Sequence, residues 1–169
     1  MFKDDNEITT HVVDNAIFLP QVVTLIAEGH TVTLPLRGYS MRPFLENERD
    51  KALLAEATDI REGDVVLAEL YQGYYVLHRI VAIRFQDVTL LGDGNLTKEY
   101  CQLDDIRAKA IGFYRKNRTK PDLTDGMKWR LYSWIWTRLF PIRRYLLFAL
   151  HPHIPNRWKK GNKVKEPNN

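Results

Sequence analysis

A mainly β fold, built as a small body of two packed or partly rolled sheets with helices at its ends, follows from three features of the sequence. Short apolar segments alternate with the period of two expected of half-buried strands. Turn sequences rich in Gly and Asp separate them: Glu62-Gly63-Asp64, Gln72-Gly73, Gln86-Asp87 and Gly92-Asp93-Gly94-Asn95. Helical spacing is confined to the beginning and end of the chain.

Taken in order, residues 15–28 place Ile17, Val22, Leu25 and Ile26 on one helical face, with Pro20 in an early turn and Gly29 as the stop. Thr31–Leu36 (TVTLPL) then alternates as a strand. Further strands are predicted at Ala52–Glu56, Val65–Leu70, Tyr74–Arg84, Val88–Leu91 and Ile106–Tyr114. Beyond Tyr114 the composition changes. RKNRTKP reads as a basic linker, and Met127–Leu150 is aromatic, aliphatic and basic together, with Pro141 dividing it into two helical pieces. Residues Asn156–Asn169 read as disordered. The 169 residues therefore divide into an N-terminal segment with a helix (1–30), a β domain (31–114) and a basic aromatic helical tail (115–169).

Charge follows the same division. Residues 1–114 hold 11 Lys/Arg against 18 Asp/Glu, a net −7, whereas residues 115–169 hold 14 against 3, a net +11. A basic tail on an acidic body fits an anionic partner. The single cysteine, Cys101, allows no internal disulfide, which fits a reducing compartment. The acidic start MFKDDNEITT does not open a secretory signal peptide. No stretch reaches the roughly 20 uncharged apolar residues of a membrane span. The expected setting is cytoplasmic, with peripheral membrane attachment through the tail. No clustered Cys/His ligand set implies a metal, and no organic cofactor is implied.

Chemistry concentrates on few residues. Ser40, in GYSMRPFL, lies just past a predicted strand end, where a backbone is exposed but anchored. A serine nucleophile needs a base for its proton and a donor for the developing oxyanion. Of the five histidines, His11 lies in the polar N-terminus, His30 follows the Gly stop, and His151 and His153 flank Pro152 in the tail. His78, inside YYVLHRIVAI, sits among apolar residues, and imidazole is the side chain best suited to act as a general base near neutral pH. Its neighbour Arg79 stays protonated and, by alternation, points to the opposite face. An acidic residue at Leu91–Asn95 would support the imidazolium. Each feature also has a plainer reading: a hydrogen-bonded structural histidine, and a β-turn at Gly-Asp-Gly-Asn.

Together, Gly38-Tyr39-Ser40-Met41-Arg42-Pro43, Leu77-His78-Arg79-Ile80-Val81 and Gly92-Asp93-Gly94-Asn95 resemble the S24/S26 serine peptidase superfamily, which contains the type I signal peptidases and the self-cleaving SOS repressors. Gly63-Asp64-Val65-Val66 looks like that superfamily's Gly-Asp-x-Val strand, and the resemblance spans roughly residues 30–114. It implies the β body of that superfamily, with Ser40 as nucleophile and the Ser40 backbone N–H as part of the oxyanion hole. Met41 would pack under the substrate-binding region, and Pro43 would shape the turn. Histidine at position 78 resembles the endoplasmic-reticulum and archaeal signal peptidases, where most bacterial members carry lysine. Gly38 and Tyr39 stand where signal peptidases commonly carry a small residue or serine and then glycine. Asp93 belongs to the matched motif, but His-type enzymes also carry acidic residues several positions later, where Glu99 falls. The resemblance implies a serine endopeptidase that removes a leader or signal segment from a peptide or preprotein through an acyl-enzyme. The alternatives are a non-catalytic peptide-binding module on the same fold and a self-processing regulator.

In the tail, Trp129, Trp134, Trp136, Phe140, Tyr145 and Phe148 alternate with Lys128, Arg130, Arg138, Arg143 and Arg144. Tryptophan with arginine suits the headgroup zone of an anionic bilayer. The other reading is a helix pair that covers the β body or meets a partner chain. The aliphatic content argues against nucleic acid.

Overall fold

The computed structural model describes residues 15–150, and the side chains of residues 18–149. His11, His151, His153, the side chain of Ile17 and the segment Asn156–Asn169 lie outside the described residues. The elements run α1 (Asn15–Ala27), β1 (Val32–Pro35), β2 (Lys51–Ala55), β3 (Val65–Tyr71), β4 (Tyr74–Arg84), β5 (Asp87–Leu91), β6 (Glu99–Gln102), β7 (Ile106–Tyr114), β8 (Asp122–Leu123), α2 (Met127–Arg138) and α3 (Arg143–Leu150). Short 3-10 turns precede β7 and join α2 to α3.

All eight strands pair antiparallel in one hydrogen-bonded sheet of order β1-β2-β7-β3-β4-β5-β6, with β8 added to β7. The expected alternative of two separate sheets is not what forms, because β7 joins the halves. Its C-terminal part pairs with β2 and its N-terminal part with β3. Register shifts within the β2–β7, β3–β7, β3–β4 and β4–β5 ladders bend the sheet, as bulges do. β6 comes back into contact with β3 across two intervening strands, so that end of the sheet curls.

Alternation sends side chains to two faces. Val65 and Leu67 join one cluster with Leu34, Ala52, Leu54, Ala108, Ala110 and Phe113, closed by Val22 and Ile26 of α1 and by Trp129 of α2. Val66 and Ala68 join the other, with Val76, Ile80, Val88, Leu90, Cys101 and Ile106. Helix α1 stops as expected, with Gly29 at φ +86°, where glycine carries no Cβ penalty. Leu25, expected on its buried face, is 44% exposed. The stripe that packs is Phe18, Leu19, Val22, Val23 and Ile26, and Leu25 falls to one side of it.

Strands β6 and β8 were not predicted. β8 has only two residues, and β6 (EYCQ) offers one inward apolar side chain, Cys101, directly after strong turn chemistry. Pro141 does lie in the 3-10 turn that separates α2 from α3. Helix α2 is not a detached tail. Trp129, Ser133 and Trp136 recur at helical spacing and are buried against the sheet.

Candidate active site

Ser40 lies in the loop that leaves β1 and returns to β2. Backbone bonds from Leu36 N–H to Asp50 O and from Glu48 N–H to Leu36 O close its base, and Gly38 N–H donates to Asn47 Oδ1 at 2.7 Å. Met41 and Leu45, one helical turn apart, anchor its underside in the core. Pro43 is half-buried, and Tyr39 stays exposed with the Arg42 guanidinium over its ring at 4.1 Å. Gly38 sits at φ +92°, which no β-branched or bulky residue adopts without strain.

Asp50 holds the far side of this loop. Its fully buried carboxylate accepts from the backbone N–H of Glu46 and of Lys116 and from the Arg49 guanidinium. Burial alone would raise its pKa. The Arg49 hydrogen bond and the two backbone N–H groups outweigh that and hold it below the usual carboxylate value. A depressed pKa stabilises the fold above the unfolded value near ~3.9 and loses that contribution as pH falls through the folded value. Asp50→Asn should therefore cost about 1–3 kcal/mol at neutral pH and flatten the acid limb of the stability curve below pH ~4, measured by urea denaturation across pH. An acid limb identical to that of the wild type would contradict this role.

The Ser40 loop packs directly on the Gly92–Asn95 turn. Gly94 N–H donates to Ser40 O at 2.7 Å. A Cβ on Gly92 would meet Ser40 O at 2.5 Å, and one on Gly94 would meet Tyr39 O at 2.8 Å. The two glycines thus do more than turn the chain, since they let one backbone lie against another. The turn reading also holds, as Asn95 N–H donates to Gly92 O. The β4–β5 ladder ends at the pair Arg79 opposite Leu91, directly after His78 on one strand and directly before this turn on the other.

His78 is 4% exposed and shares its face of β4 with Val76 and Ile80. Its Nδ1 is 2.5 Å from Glu99 Oε2. Of the two acidic residues left open by the sequence, Glu99 is the one on the imidazole. Asp93 is not. It is fully buried on the opposite face, where it accepts from Arg79 Nε and Nη2 at 2.8 and 2.7 Å and from Tyr132 Oη at 2.9 Å. The reason is alternation: His78 and Arg79 point apart, and the Gly-Asp-Gly turn sends its carboxylate toward Arg79. Among the described residues, the hydrogen bond of the His78 ring is to Glu99, and none joins it to Ser40 Oγ.

Arg79, Tyr132, Ser133 and Trp136 were not predicted as parts of this site. Arg79 Nη1 donates to Gly63 O and Ser133 Oγ, and Trp136 Nε1 donates to Asp93 O. Helix α2 thereby clamps the turn on which Ser40 rests. The helical spacing of Trp129, Ser133 and Trp136 was a readable signal of an inward face, although not of what it would meet. Burial works most strongly against the Arg79 charge, but the Asp93 carboxylate overcomes it and raises the pKa further. The Tyr132 phenol is pushed far up, by burial first and by Asp93 second.

Cys101 is no rival nucleophile. Burial, then Asp105 and Glu99, pushes its thiol up to about 11, so it stays protonated at neutral pH. A cavity of about 720 Å³ opens between β4–β6 and the α2–α3 corner, walled by Val81, Thr89, Leu91, Tyr100, Phe140 and Arg143. Neither Ser40, His78 nor Glu99 lines it. No group of three or more His, Cys, Asp or Glu side chains among the described residues is arranged to hold a metal.

Fold and site together define a mainly β protein in which a serine loop lies on the Gly92–Asn95 turn and a strand histidine is backed by a carboxylate. No protein-family model matches the chain, and no curated protein matches it in sequence.

Proposed function

We propose that this chain is a serine endopeptidase resembling the signal peptidases, with Ser40 as nucleophile, His78 as general base and Glu99 as the carboxylate that orients it. The observation that carries the reading is the pair of buried His78 with half-buried Glu99 at 2.5 Å, on the strand whose next residue, Arg79, binds Asp93 of the turn that holds Ser40. Glu99 occupies Nδ1, so Nε2 is the nitrogen left to take a proton. Ser40 Oγ attacks the scissile carbonyl while His78 Nε2 takes its proton, and the Ser40 N–H supports the oxyanion. The imidazolium returns that proton to the leaving amine. Water, activated by the same nitrogen, then hydrolyses the acyl-enzyme. The step requires Oγ and Nε2 to close to about 2.6–3.2 Å when substrate is bound. A peptide or preprotein with a leader or signal segment is the substrate class that the resemblance suggests.

A second reading, a peptide-binding module without catalysis, is favoured by one observation: Ser40 Oγ and His78 are not hydrogen-bonded to each other in the free protein. A serine-directed acylating probe separates the two. Wild type should be labelled and Ser40→Ala should not, with mass spectrometry placing the adduct on Ser40. Labelling that persists in Ser40→Ala, or is absent from both, favours the binding module.

A further inference from the structure

Helix α2 has two apolar faces, and the β body covers only one. Trp129, Ser133 and Trp136 face inward. Leu131, Trp134 and Ile135 recur on the outer side and are 57%, 56% and 41% exposed. Helix α3 repeats the pattern, burying Leu147 and leaving Tyr145 and Phe148 73% and 74% exposed. An ordinary surface helix needs one apolar stripe, and the second is the kind of exposed patch that marks a contact.

The rim of the stripe names the partner. Lys128, Arg130, Arg138 and Arg144 are exposed around it, and residues 127–149 contain no Asp or Glu. The Arg138 guanidinium lies over the outer ring of Trp134 at 4.5 Å, which joins charge and aromatic surface in one element. A second copy packed face to face would set cations against cations, with no carboxylate on the stripe to pair them. A nucleic acid backbone would meet the cations but leave the leucine, isoleucine and phenylalanine uncovered. An anionic bilayer answers both parts, since phosphate headgroups take the basic rim and the acyl boundary takes the apolar stripe.

We propose that the outer face of α2 and α3 docks on the surface of an anionic lipid bilayer. The attachment is peripheral, since no helix among the described residues is long and apolar enough to cross a membrane. It does not depend on the peptidase reading. It does bear on that site, because the inner face of the same helix holds Asp93 through Tyr132 and Trp136, and Gly94 holds Ser40 O. Truncating the helix is a poor test, because Trp129 belongs to the core.

The experiment is sedimentation of the full chain with vesicles of phosphatidylcholine alone or mixed with phosphatidylglycerol, together with two exposed-face variants. These are Leu131→Ser/Trp134→Ser and Arg130→Gln/Arg138→Gln, each checked by its melting temperature for an unchanged fold. The wild type should sediment with the anionic vesicles and not with the neutral ones. The apolar variant should lose binding, and the charge variant should weaken by about 5-fold for each cation removed. Equal sedimentation of wild type and the apolar variant would overturn the proposal. So would failure of the wild type to bind anionic vesicles while it forms a concentration-dependent dimer that the apolar variant abolishes.

Discussion

Asp93→Asn should cost the fold about 3–5 kcal/mol, a large part of the roughly 5–15 kcal/mol that holds a domain of this size together. The substitution removes the charge from a carboxylate that accepts both Nε and Nη2 of Arg79 and the Tyr132 hydroxyl, with Asp93 and Arg79 both fully buried. Arg79 cannot respond by losing its proton. Its remaining acceptors, Gly63 O and Ser133 Oγ, are neutral. The cost is that of an uncompensated buried cation, which exceeds the net worth of the pair. Replacing both members, as Arg79→Met with Asp93→Leu, should therefore cost less than Asp93→Asn alone. Urea denaturation of the two variants tests this. A midpoint for Asp93→Asn that falls by less than the equivalent of about 1 kcal/mol would mean that the pair is not the clamp described above.

Glu99→Gln should do the opposite: nearly keep the stability and slow the proposed acylation. Glu99 is partly exposed, and glutamine retains an acceptor for His78 Nδ1, so the loss of stability should be about 1 kcal/mol or less. What disappears is the negative charge that supports an imidazolium and selects the tautomer with Nε2 free. Acylation at Ser40 should slow by roughly 10²–10⁴, against a complete loss in Ser40→Ala. The rate of probe labelling per folded molecule is the measurement. Labelling of Glu99→Gln at the wild-type rate would make the His78–Glu99 pair structural. The two variants thus separate two carboxylates six residues apart, one expected to hold the fold and the other to serve the chemistry.

Much of this architecture was legible before the coordinates. β4 spans Tyr74–Arg84 and β7 spans Ile106–Tyr114 at the expected bounds, because long alternating segments between clear turns leave little freedom. The other expected strands shift by a residue or so at their ends. β6 was missed because four polar-rich residues carry almost no periodic signal, yet it delivers Glu99 to His78 through its pairing with β5. The Gly92–Asn95 stretch was readable as a turn. That its glycines also admit the Ser40 backbone depends on a loop far earlier in the chain, and no local pattern encodes it. Leu25 shows the same limit at one position, since helical spacing offers several adjacent stripes and packing selects one of them.

The sequence by itself determined the alternating strands, the break at Pro141, the basic segment 115–169 and the three short motifs, because each rests on neighbours along the chain. Only the tertiary structure decided which carboxylate meets His78 and which meets Arg79. Those two side chains leave β4 in opposite directions, and their partners arrive from β6 on one face and from the turn under α2 on the other. It also decided that α2 would bury one apolar face and leave the second uncovered. A helix with two apolar sides reads the same in sequence whichever side the sheet takes.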